Sequence, residues 1–383
     1  MSASTATERA ARPGPTTSVR RRVVRAAALT TALSTAATAL AACSLAGQGS
    51  DTGSATGSGS GSATGTVVVA THDSWAMSKD VLREFTEKSG YRVRIEPNGD
   101  AGQLTNKLVL TKTSPIADVV YGIDNTFASR AVDEGVLVDH TPADLPASAA
   151  RYALDDERAA RQLTPVDFGD VCVNVDDAWF ADHDRRPPRT LDDLADPAYR
   201  GLFVTPGATT SSPGLAFLLA TVARYGDGWP AYWKRLMAND ARLTAGWSDA
   251  YEVDFTAGGG GGNRPVVLSY ASSPPFTIPE GGSRPTTSAL LDTCFRQVEY
   301  AGVLKGAEQA EGAKAFVDFM TERSFQQALP DNMYVFPVDA DAPLPPEWSR
   351  FAKVASDPLT VPSADIAAHR DEWLRTWGDV TTR

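Results

Sequence analysis

Strand-like and helix-like patterns alternate along the chain, and no other feature restricts its fold as strongly. The segments GTVVVAT and YRVRIEP have the apolar or alternating patterns of strands, and a helical pattern follows each of them. A third apolar segment, IADVVYGI, precedes a helix that should end at Gly135. Because strands that alternate with helices pair mainly in parallel, we predict an α/β fold with mixed, mostly parallel sheets and helices on both faces.

The same alternation resumes near residue 167, which indicates a second lobe. DFGDVCVNVD, LFVT and PVVLSYASSPPF are predicted strands, and TTSSPGLAFLLATVARYG is a predicted helix with Ser212 as its N-cap. Amphipathic helical patterns follow from about residue 295. The predicted segments are lobe 1 over 67–166, lobe 2 over 167–294, and a return to lobe 1 over 295–383.

The first 66 residues have the composition of an export signal and a tether. Residues 1–42 contain a basic stretch and then an apolar stretch, which predicts a signal peptide. The sequence LAAC at 40–43 resembles a bacterial lipobox, and this resemblance predicts cleavage before Cys43 and a lipid on its thiol. The alternative is an ordinary secretory signal with an incidental cysteine. Residues 44–66 are mostly Gly, Ser, Thr and Ala, a composition that predicts a flexible tether to the extracellular face of the cell membrane.

The net charge of the chain argues against nucleic acid as a partner. The full sequence has a net charge of −11, and residues 1–42 contribute +5, so the chain from Cys43 onward has a net charge of −16. A chain this acidic does not have the basic surface that nucleic-acid binding needs. We predict no nucleic-acid partner and a modest preference for cationic ligands.

Two cysteines remain in the folded part, Cys172 and Cys294. Because exported proteins meet an oxidising environment, we predict a disulfide between them, with two buried free thiols as the alternative. The sequence has no CxxC motif and four scattered histidines, which argues against a metal site. We predict no cofactor and no metal.

Motifs for catalysis are missing from the sequence. It contains no GxSxG, no HExxH and no carboxylate pair typical of a glycosidase. The glycine run at 258–262 lacks the Lys and Ser/Thr of a P-loop, so we predict a flexible surface loop there. We therefore predict a binding protein and not an enzyme.

Ligands of open α/β sheets bind beyond the carboxyl ends of strands, where helix N-termini meet. The residues at these predicted positions are aromatic, hydroxyl and carboxylate side chains, which suit a planar cation with some polar groups. For Asp100, Asp124 and Ser212 a helix-capping role is the structural alternative, and His72 and Tyr270 could belong to the core. The predicted ligand-binding residues are His72, Asp73, Asp100, Asp124, Asn125, Ser211, Ser212, Trp247, Tyr251, Tyr270, Ser273 and Phe276.

The segment LTAGWSDAYEV places two aromatic residues beside a predicted helix start. Ser248 is a typical N-cap, so Trp247 would lie just before the helix. In a hydrophobic staple it would pack on the fourth helical residue, Glu252, which is a poor partner for an indole. Trp247 and Tyr251 are therefore either core residues or part of a wall that faces a flat ligand.

Seven segments together resemble the thiamine-binding substrate-binding proteins of bacterial ABC importers. They are THDSW, ADVVYGIDNTF, SSPGLAFLLA, GWSDAY, VLSYASSPPF, FRQVEYAG and NMYVFPV, in the order that the family shows. The resemblance implies a type II periplasmic binding protein, in which two α/β lobes close over the ligand at a hinge. It also implies binding of thiamine, often with its phosphate esters, and no catalysis.

The resemblance assigns places to several residues. It implies that Ser211, Trp247 and Tyr270 lie near the hydroxyethyl or phosphate end of the ligand, with Asp100 opposite. Asp124 and Asn125 would line the wall of lobe 1. Tyr334, which the resemblance places against the ring system of the ligand, is a further predicted ligand-binding residue. Three positions depart from the family pattern while keeping a flat side chain: Tyr334 where tryptophan is frequent, Phe276 where tyrosine is common, and His72 where some members have tyrosine.

The partners implied by the resemblance are a permease and its ATPase, and we expect a monomer that contacts the membrane through its lipid alone. The alternative is a protein of the same fold for another solute, such as a polyamine or ferric iron. Paired adjacent tyrosines, typical of the iron-binding relatives, do not occur in this sequence. The aromatic and carboxylate residues partly match a polyamine site.

Overall fold

The computed structural model describes residues 64–382. The predicted signal peptide, the lipidation of Cys43 and most of the tether lie outside the described residues. The strands are β1 (Gly65–Thr71), β2 (Tyr91–Pro97), β3 (Val119–Asp124), β4 (Thr164–Asp176), β5 (Phe203–Pro206), β6 (Arg242–Thr244), β7 (Val266–Tyr270), β8 (Thr287–Val303) and β9 (Phe336–Pro337).

Helices connect most of these strands. They are α1 (Lys79–Ser89), α2 (Ala101–Leu110), α3 (Ala128–Asp133), α4 (Glu157–Gln162), α5 (Asp177–Asp182), α6 (Leu191–Leu194), α7 (Ser212–Tyr225), α8 (Trp229–Ala238), α9 (Ala310–Met320), α10 (Arg323–Met333), α11 (Pro346–Phe351) and α12 (Ser363–Thr381). Across residues 64–382, no helix has the length and apolar character needed to cross a membrane.

The strands form one mixed sheet in the order β2-β1-β3-β8-β4-β7-β5-β6, with β9 paired to β4. Pairing is parallel at both ends of the sheet, among β2, β1 and β3 and among β7, β5 and β6. It is antiparallel in the middle, where β4 and β8 join the two ends. The predicted α/β class with a mixed sheet is confirmed.

Strands β4 and β8 form a long two-stranded ribbon through the centre of the sheet. Their ladder is interrupted between Val171 and Val173, where β8 bulges out. A disulfide joins Cys172 to Cys294 beside this interruption, with Cα atoms 4.2 Å apart. The Thr293 hydroxyl accepts the Val173 N–H at 3.0 Å, replacing a ladder bond that the bulge removes.

The predicted lobe boundaries at 166/167 and 294/295 both fall inside this ribbon, and the division into lobes stays a prediction. Helices α9 and α10 pack on β1, α1 and β8. Helix α12 instead contacts α8, where the rings of Trp377 and Trp233 meet edge to face at 5.6 Å. The last helix of the segment predicted to return to lobe 1 therefore lies against the segment predicted as lobe 2.

Two predicted helix starts differ from the structure by the identity of the cap. Ser211, and not Ser212, is the N-cap of α7, because its hydroxyl accepts the Gly214 N–H at 3.4 Å. Ser248 makes no capping bond and is itself helical, as the first residue before a short π-helical turn, Asp249–Asp254. Both corrections change the side chains that remain available to a ligand.

The glycine run is a surface loop whose close packing the sequence did not reveal. Alternate glycines of the run lie against the Asp249–Asp254 turn. A Cβ added to Gly258 would be 1.7 Å from the Tyr251 carbonyl oxygen, and one added to Gly260 would be 2.3 Å from the Glu252 carbonyl oxygen. A side chain at these positions would overlap the backbone of the turn. The glycines therefore permit a close approach between two backbone segments.

Candidate functional site

A cavity lies where the first turn of α2, the first turn of α7, the turn after Gly246 and the end of α10 meet. Six of the predicted ligand-binding residues reach its wall. The lining residues are His72, Ser74, Ala76, Asp100, Ser212, Pro213, Trp247, Glu252, Tyr270, Glu299, Asn332, Met333, Tyr334 and Val335.

Stacked aromatic rings form one wall of the cavity. The Trp247 indole is 8% exposed and stacks on Tyr251, with ring centroids 5.0 Å apart and planes 12° apart. Its indole N–H donates to the Ser269 hydroxyl at 2.9 Å. Tyr334 meets the indole edge at 6.0 Å and stacks on Phe276 behind it at 3.5 Å. Tyr251 and Phe276 therefore support the rings that line the cavity.

Tyr334 holds an unusual backbone conformation at this wall. It caps the end of α10 in the left-handed region, with φ of 64°, which non-glycine residues rarely adopt. Its carbonyl accepts the Ser272 hydroxyl from the loop after β7. Strained residues of this kind are often found at ligand sites, where the surrounding contacts fix them.

Asp100 accepts backbone N–H groups at two places, the start of α2 and the turn that contains Trp247 and Ser248. Its Oδ1 accepts the Ala101 N–H at 2.6 Å as the N-cap of α2, and its Oδ2 accepts the Trp247 N–H at 3.0 Å. Burial raises the pKa of Asp100, and these two backbone donors act in the opposite direction. One carboxylate thus orients both the start of α2 and the aromatic wall.

The lining is acidic. It includes Asp100, Glu252 and Glu299, and it includes no Lys or Arg among the described residues. His72 offsets the charge of Glu299, and the remaining carboxylates of this partly dry cavity favour a cationic ligand, because the Coulomb attraction is screened less there than in water.

Beneath the cavity floor, four buried side chains form a connected polar cluster. The Tyr121 hydroxyl donates to Asp167 Oδ2 at 2.6 Å and lies 3.3 Å from Glu299 Oε2. His72 Nε2 lies 3.6 Å from Glu299 Oε1. Burial raises the pKa of Asp167, and the Glu299 charge raises it further. Burial lowers the pKa of His72, but Glu299, Asp100 and Asp73 together raise it above its ordinary value. The arrangement fits a charged Glu299 between a protonated Asp167 and a charged His72.

The structure places the other predicted residues at different distances from the cavity. Asp73 accepts the Gly99 N–H and lines an adjoining small cavity with Asp100 and Trp247. The Ser273 hydroxyl pairs with that of Ser269, behind the indole. Ser211 is buried as the cap of α7. These residues support the site without lining its main cavity.

Asn125 lies apart from the main cavity, and its predicted role in ligand binding stays a prediction. Its side chain donates to the Arg296 carbonyl and accepts the Val298 N–H, so it pairs with the backbone of β8. It lines two cavities on the opposite face of the central ribbon, away from Trp247. Successive residues at a strand end point to opposite faces, which explains why Asp124 and Asn125 separate.

Comparison with known proteins shows which proteins this chain resembles. A sequence model described as bacterial extracellular solute-binding protein matches residues 114–249. A thiamine-binding periplasmic protein of Brucella suis is 29% identical over 330 residues, covering 83% of this chain and 92% of that protein. A solved periplasmic thiamin binding protein has a TM-score of 0.72 and 26% identity, covering 83% of this chain and 96% of that one. The chain has the fold of a type II periplasmic binding protein and is similar to solute-binding proteins.

The same fold occurs in proteins for other solutes. A ferric binding protein of Campylobacter jejuni has a TM-score of 0.64 at 17% identity, covering 83% of this chain and all of its own, which shows the fold alone. Within residues 64–382 the chain has no group of three His, Cys, Asp or Glu side chains arranged to hold a metal ion.

Several lining residues escaped the sequence analysis. Glu299 lies inside the quoted segment FRQVEYAG, and alternation along a strand would have placed Glu299 and Gln297 on one face. Glu252 was considered only as a poor staple partner for Trp247. Asn332 and Met333 end α10 inside the quoted segment NMYVFPV, next to Tyr334, but no helical or strand pattern brings that helix end to the cavity.

Two buried polar atoms near the cavity have no hydrogen-bond partner. Asp124 Oδ1 accepts from the Thr126 N–H, the Thr126 hydroxyl and the Phe127 N–H, whereas Asp124 Oδ2 is unpartnered. The hydroxyl of Ser212, the lining residue displaced from the capping position, also has no partner in hydrogen-bond geometry, but it lies close enough to the Asp124 carboxyl to lower its pKa. Burial raises the pKa of Asp124 to about 7, and the Thr126 and Ser212 hydroxyls and the Phe127 N–H act in the opposite direction.

This raised pKa predicts a pH dependence of stability. Between pH 4 and pH 7 the folded protein keeps the Asp124 proton that the unfolded chain loses, so the free energy of unfolding falls as the pH rises through this range. The contribution is on the order of 3–4 kcal/mol, and it is constant above the folded pKa. Urea unfolding from pH 4.5 to pH 8 measures it.

The matched variant is Asp124→Asn, which keeps the shape and the Oδ1 acceptor but has no titrating proton. We expect the variant to gain stability relative to the parent as the pH rises from 5 to 8. Other groups in the protein also titrate, so the informative quantity is the difference between the two proteins. A difference that is independent of pH would show that Asp124 is ionised throughout.

Proposed function

We propose that this protein binds thiamine in the cavity beside Trp247. The observation that carries the proposal is the pairing of stacked aromatic rings with three carboxylates and no Lys or Arg in the described lining. Thiamine consists of a flat aminopyrimidine and a positively charged thiazolium ring. Aromatic faces attract such rings and cations, and carboxylates accept hydrogen bonds from the amino group. The thiamine-binding names of the similar proteins support the same ligand.

Thiamine phosphates are the second ligand form that we propose. A phosphate would lie at the N-terminus of α7, where Ser212 has an unpartnered hydroxyl and the helix dipole favours an anion. The carboxylates of the lining oppose an added negative charge. We therefore propose that thiamine binds more tightly than its diphosphate.

We further propose that the protein delivers thiamine to an ABC importer from the extracellular face of the cell membrane. The similarity to periplasmic solute-binding proteins supports export and transport. The LAAC sequence at 40–43 supports a lipid anchor. Replacing Cys43 with Ala should release the protein from washed membranes into the medium, as immunoblots of the two fractions would show. Retention on membranes would contradict the anchor.

Calorimetric titration of the purified protein tests the ligand. We expect a dissociation constant for thiamine below about 1 μM, which corresponds to about −8 kcal/mol or better. Thiamine monophosphate, thiamine diphosphate and spermidine are titrated in parallel. Tight binding of spermidine without binding of thiamine would replace this proposal with the polyamine alternative.

A further inference from the structure

The first turn of α2 touches two loops that belong to the other end of the sheet. Asp100 Oδ2 accepts the Trp247 N–H, as described above. The Gln103 N–H donates to the Thr210 carbonyl at 3.3 Å. Helix α2 lies between β2 and β3, whereas Thr210 follows β5 and Trp247 follows β6. These contacts therefore cross from one parallel end of the sheet to the other.

Gly102 stands at the centre of this crossing. A Cβ on Gly102 would be 2.8 Å from the carbonyl carbon of Thr210 and 2.9 Å from the carbonyl oxygen of Thr209. Real Cβ atoms do not approach backbone atoms so closely, and backbone atoms cannot rotate away as a flexible side chain can. The two segments can meet as they do only because residue 102 has no side chain.

Helix propensity gives no reason for glycine at this position. A glycine within a helix is less favourable than alanine by about 0.8–1.0 kcal/mol. The backbone of Gly102 does not lie in the left-handed region that would favour glycine. Gly246 makes a similar approach from the other side, since its Cβ would be 3.3 Å from Asp100 Oδ2. Glycines thus stand on both sides of the same contact.

The contact borders the proposed binding cavity, because Asp100 and Trp247 both line it. Separation of these two segments would therefore widen the access of a solute to the cavity. We propose that Gly102 is a positioning residue whose missing side chain lets the two lobes close over the solute. The proposal takes the cavity beside Trp247 from the proposed function, but it does not depend on which cation binds.

The test is Gly102→Ala, measured first as thiamine affinity. The added methyl group should leave the open form intact and oppose the closed form. Because apparent affinity falls with the population of the competent state, we expect the dissociation constant to rise by 10- to 100-fold. Gly378→Ala is the matched control, since it adds a methyl group to a helical glycine with open space around it and should leave binding unchanged. An unchanged affinity in Gly102→Ala would overturn the proposal.

A second clash must be separated from the first. The Gly102 Cβ would also be 2.9 Å from Cζ of Phe127, a buried ring on the same side of the contact as α2. Phe127→Leu removes Cζ, the ring atom that the added methyl group would meet. The double variant Gly102→Ala/Phe127→Leu is therefore compared with Phe127→Leu alone. The loss of affinity should persist in this pair. Its disappearance would assign Gly102 to packing within one lobe.

A readout without ligand keeps this test independent of the thiamine proposal. Cysteines at 103 and 210, introduced as Gln103→Cys and Thr210→Cys, lie at the contact and should crosslink when it closes. We expect Gly102→Ala to slow their oxidative crosslinking at least tenfold in the ligand-free protein. An unaltered rate would overturn the proposal whichever solute binds. Failure of the unmodified protein to bind thiamine would overturn the proposed function alone.

Discussion

Replacement of Trp247 by Ala is expected to raise the dissociation constant for thiamine by about 30- to 150-fold, which is a loss of roughly 2–3 kcal/mol of binding free energy. The indole lines the cavity together with three carboxylates, so its removal takes away an aromatic surface that can stack on the ligand and attract its positive charge. Calorimetric titration of the variant with thiamine measures this loss.

Removal of Trp247 should also lower stability, because the structure combines the two alternatives that the sequence left open. The indole is buried, it stacks on Tyr251, and its N–H donates to Ser269. Truncation of a buried tryptophan typically lowers the free energy of unfolding by about 3–5 kcal/mol. We therefore expect Trp247→Ala to weaken the fold as well as binding, which thermal and urea unfolding would show.

Trp247→Phe separates the two effects. It retains a flat ring against Tyr251 and loses the hydrogen bond to Ser269, which is worth about 1 kcal/mol. We expect this variant to keep most of its stability and to bind thiamine within about tenfold of the parent. Normal thiamine affinity in folded Trp247→Ala protein would assign the indole to the core alone.

Loss of the disulfide between Cys172 and Cys294 is expected to produce the largest change in stability. The bond closes a loop of 122 residues. In the chain-entropy model such a loop contributes up to about 4–5 kcal/mol to the free energy of unfolding. The bond also holds the central ribbon where its ladder is interrupted, so we expect local as well as global loosening.

Urea unfolding of the oxidised protein, the reduced protein and the double variant Cys172→Ala/Cys294→Ala tests this expectation. The reduced protein retains both sulfur atoms, so it separates the effect of the bond from the loss of side-chain volume. We expect reduced and doubly substituted proteins to be similarly destabilised. Equal stability of oxidised and reduced protein would contradict the prediction, as would peptide mapping that finds both thiols free.

Local patterns predicted much of the fold because they depend on neighbouring residues alone. The strand YRVRIEP coincides with β2, and the predicted helix after Ser211 and Ser212 coincides with α7. The ribbon strand β8 was the main omission. Its sequence, TSALLDTCFRQVEYAGV, mixes polar residues into a strand that is mostly buried, and it bulges near Cys294. Neither the full length of β8 nor its place beside β4 follows from a strand pattern.

The site was harder to predict than the fold because its side chains come from distant segments. The sequence predicted Ser212 and Ser248 as helix caps. In the structure Ser211 caps α7, and Asp100 accepts the Trp247 N–H just before Ser248. Asp100 lies 147 residues before Trp247, and no local rule joins them. The carboxylate of Glu299 was missed for a similar reason, since its role depends on strand pairing and on the position of His72.

The alternation along the central ribbon has an evolutionary consequence. Glu299 faces the cavity beside Trp247, while its neighbours Val298 and Tyr300 face the cavity on the opposite side. Insertion or deletion of a single residue in β8 would exchange these two sets, removing Glu299 from the solute and presenting apolar and phenolic side chains in its place. Descendants of this protein can therefore change their solute by substitution in the ribbon or by length changes in loops. Single-residue length changes in the ribbon itself should be rare in the lineage.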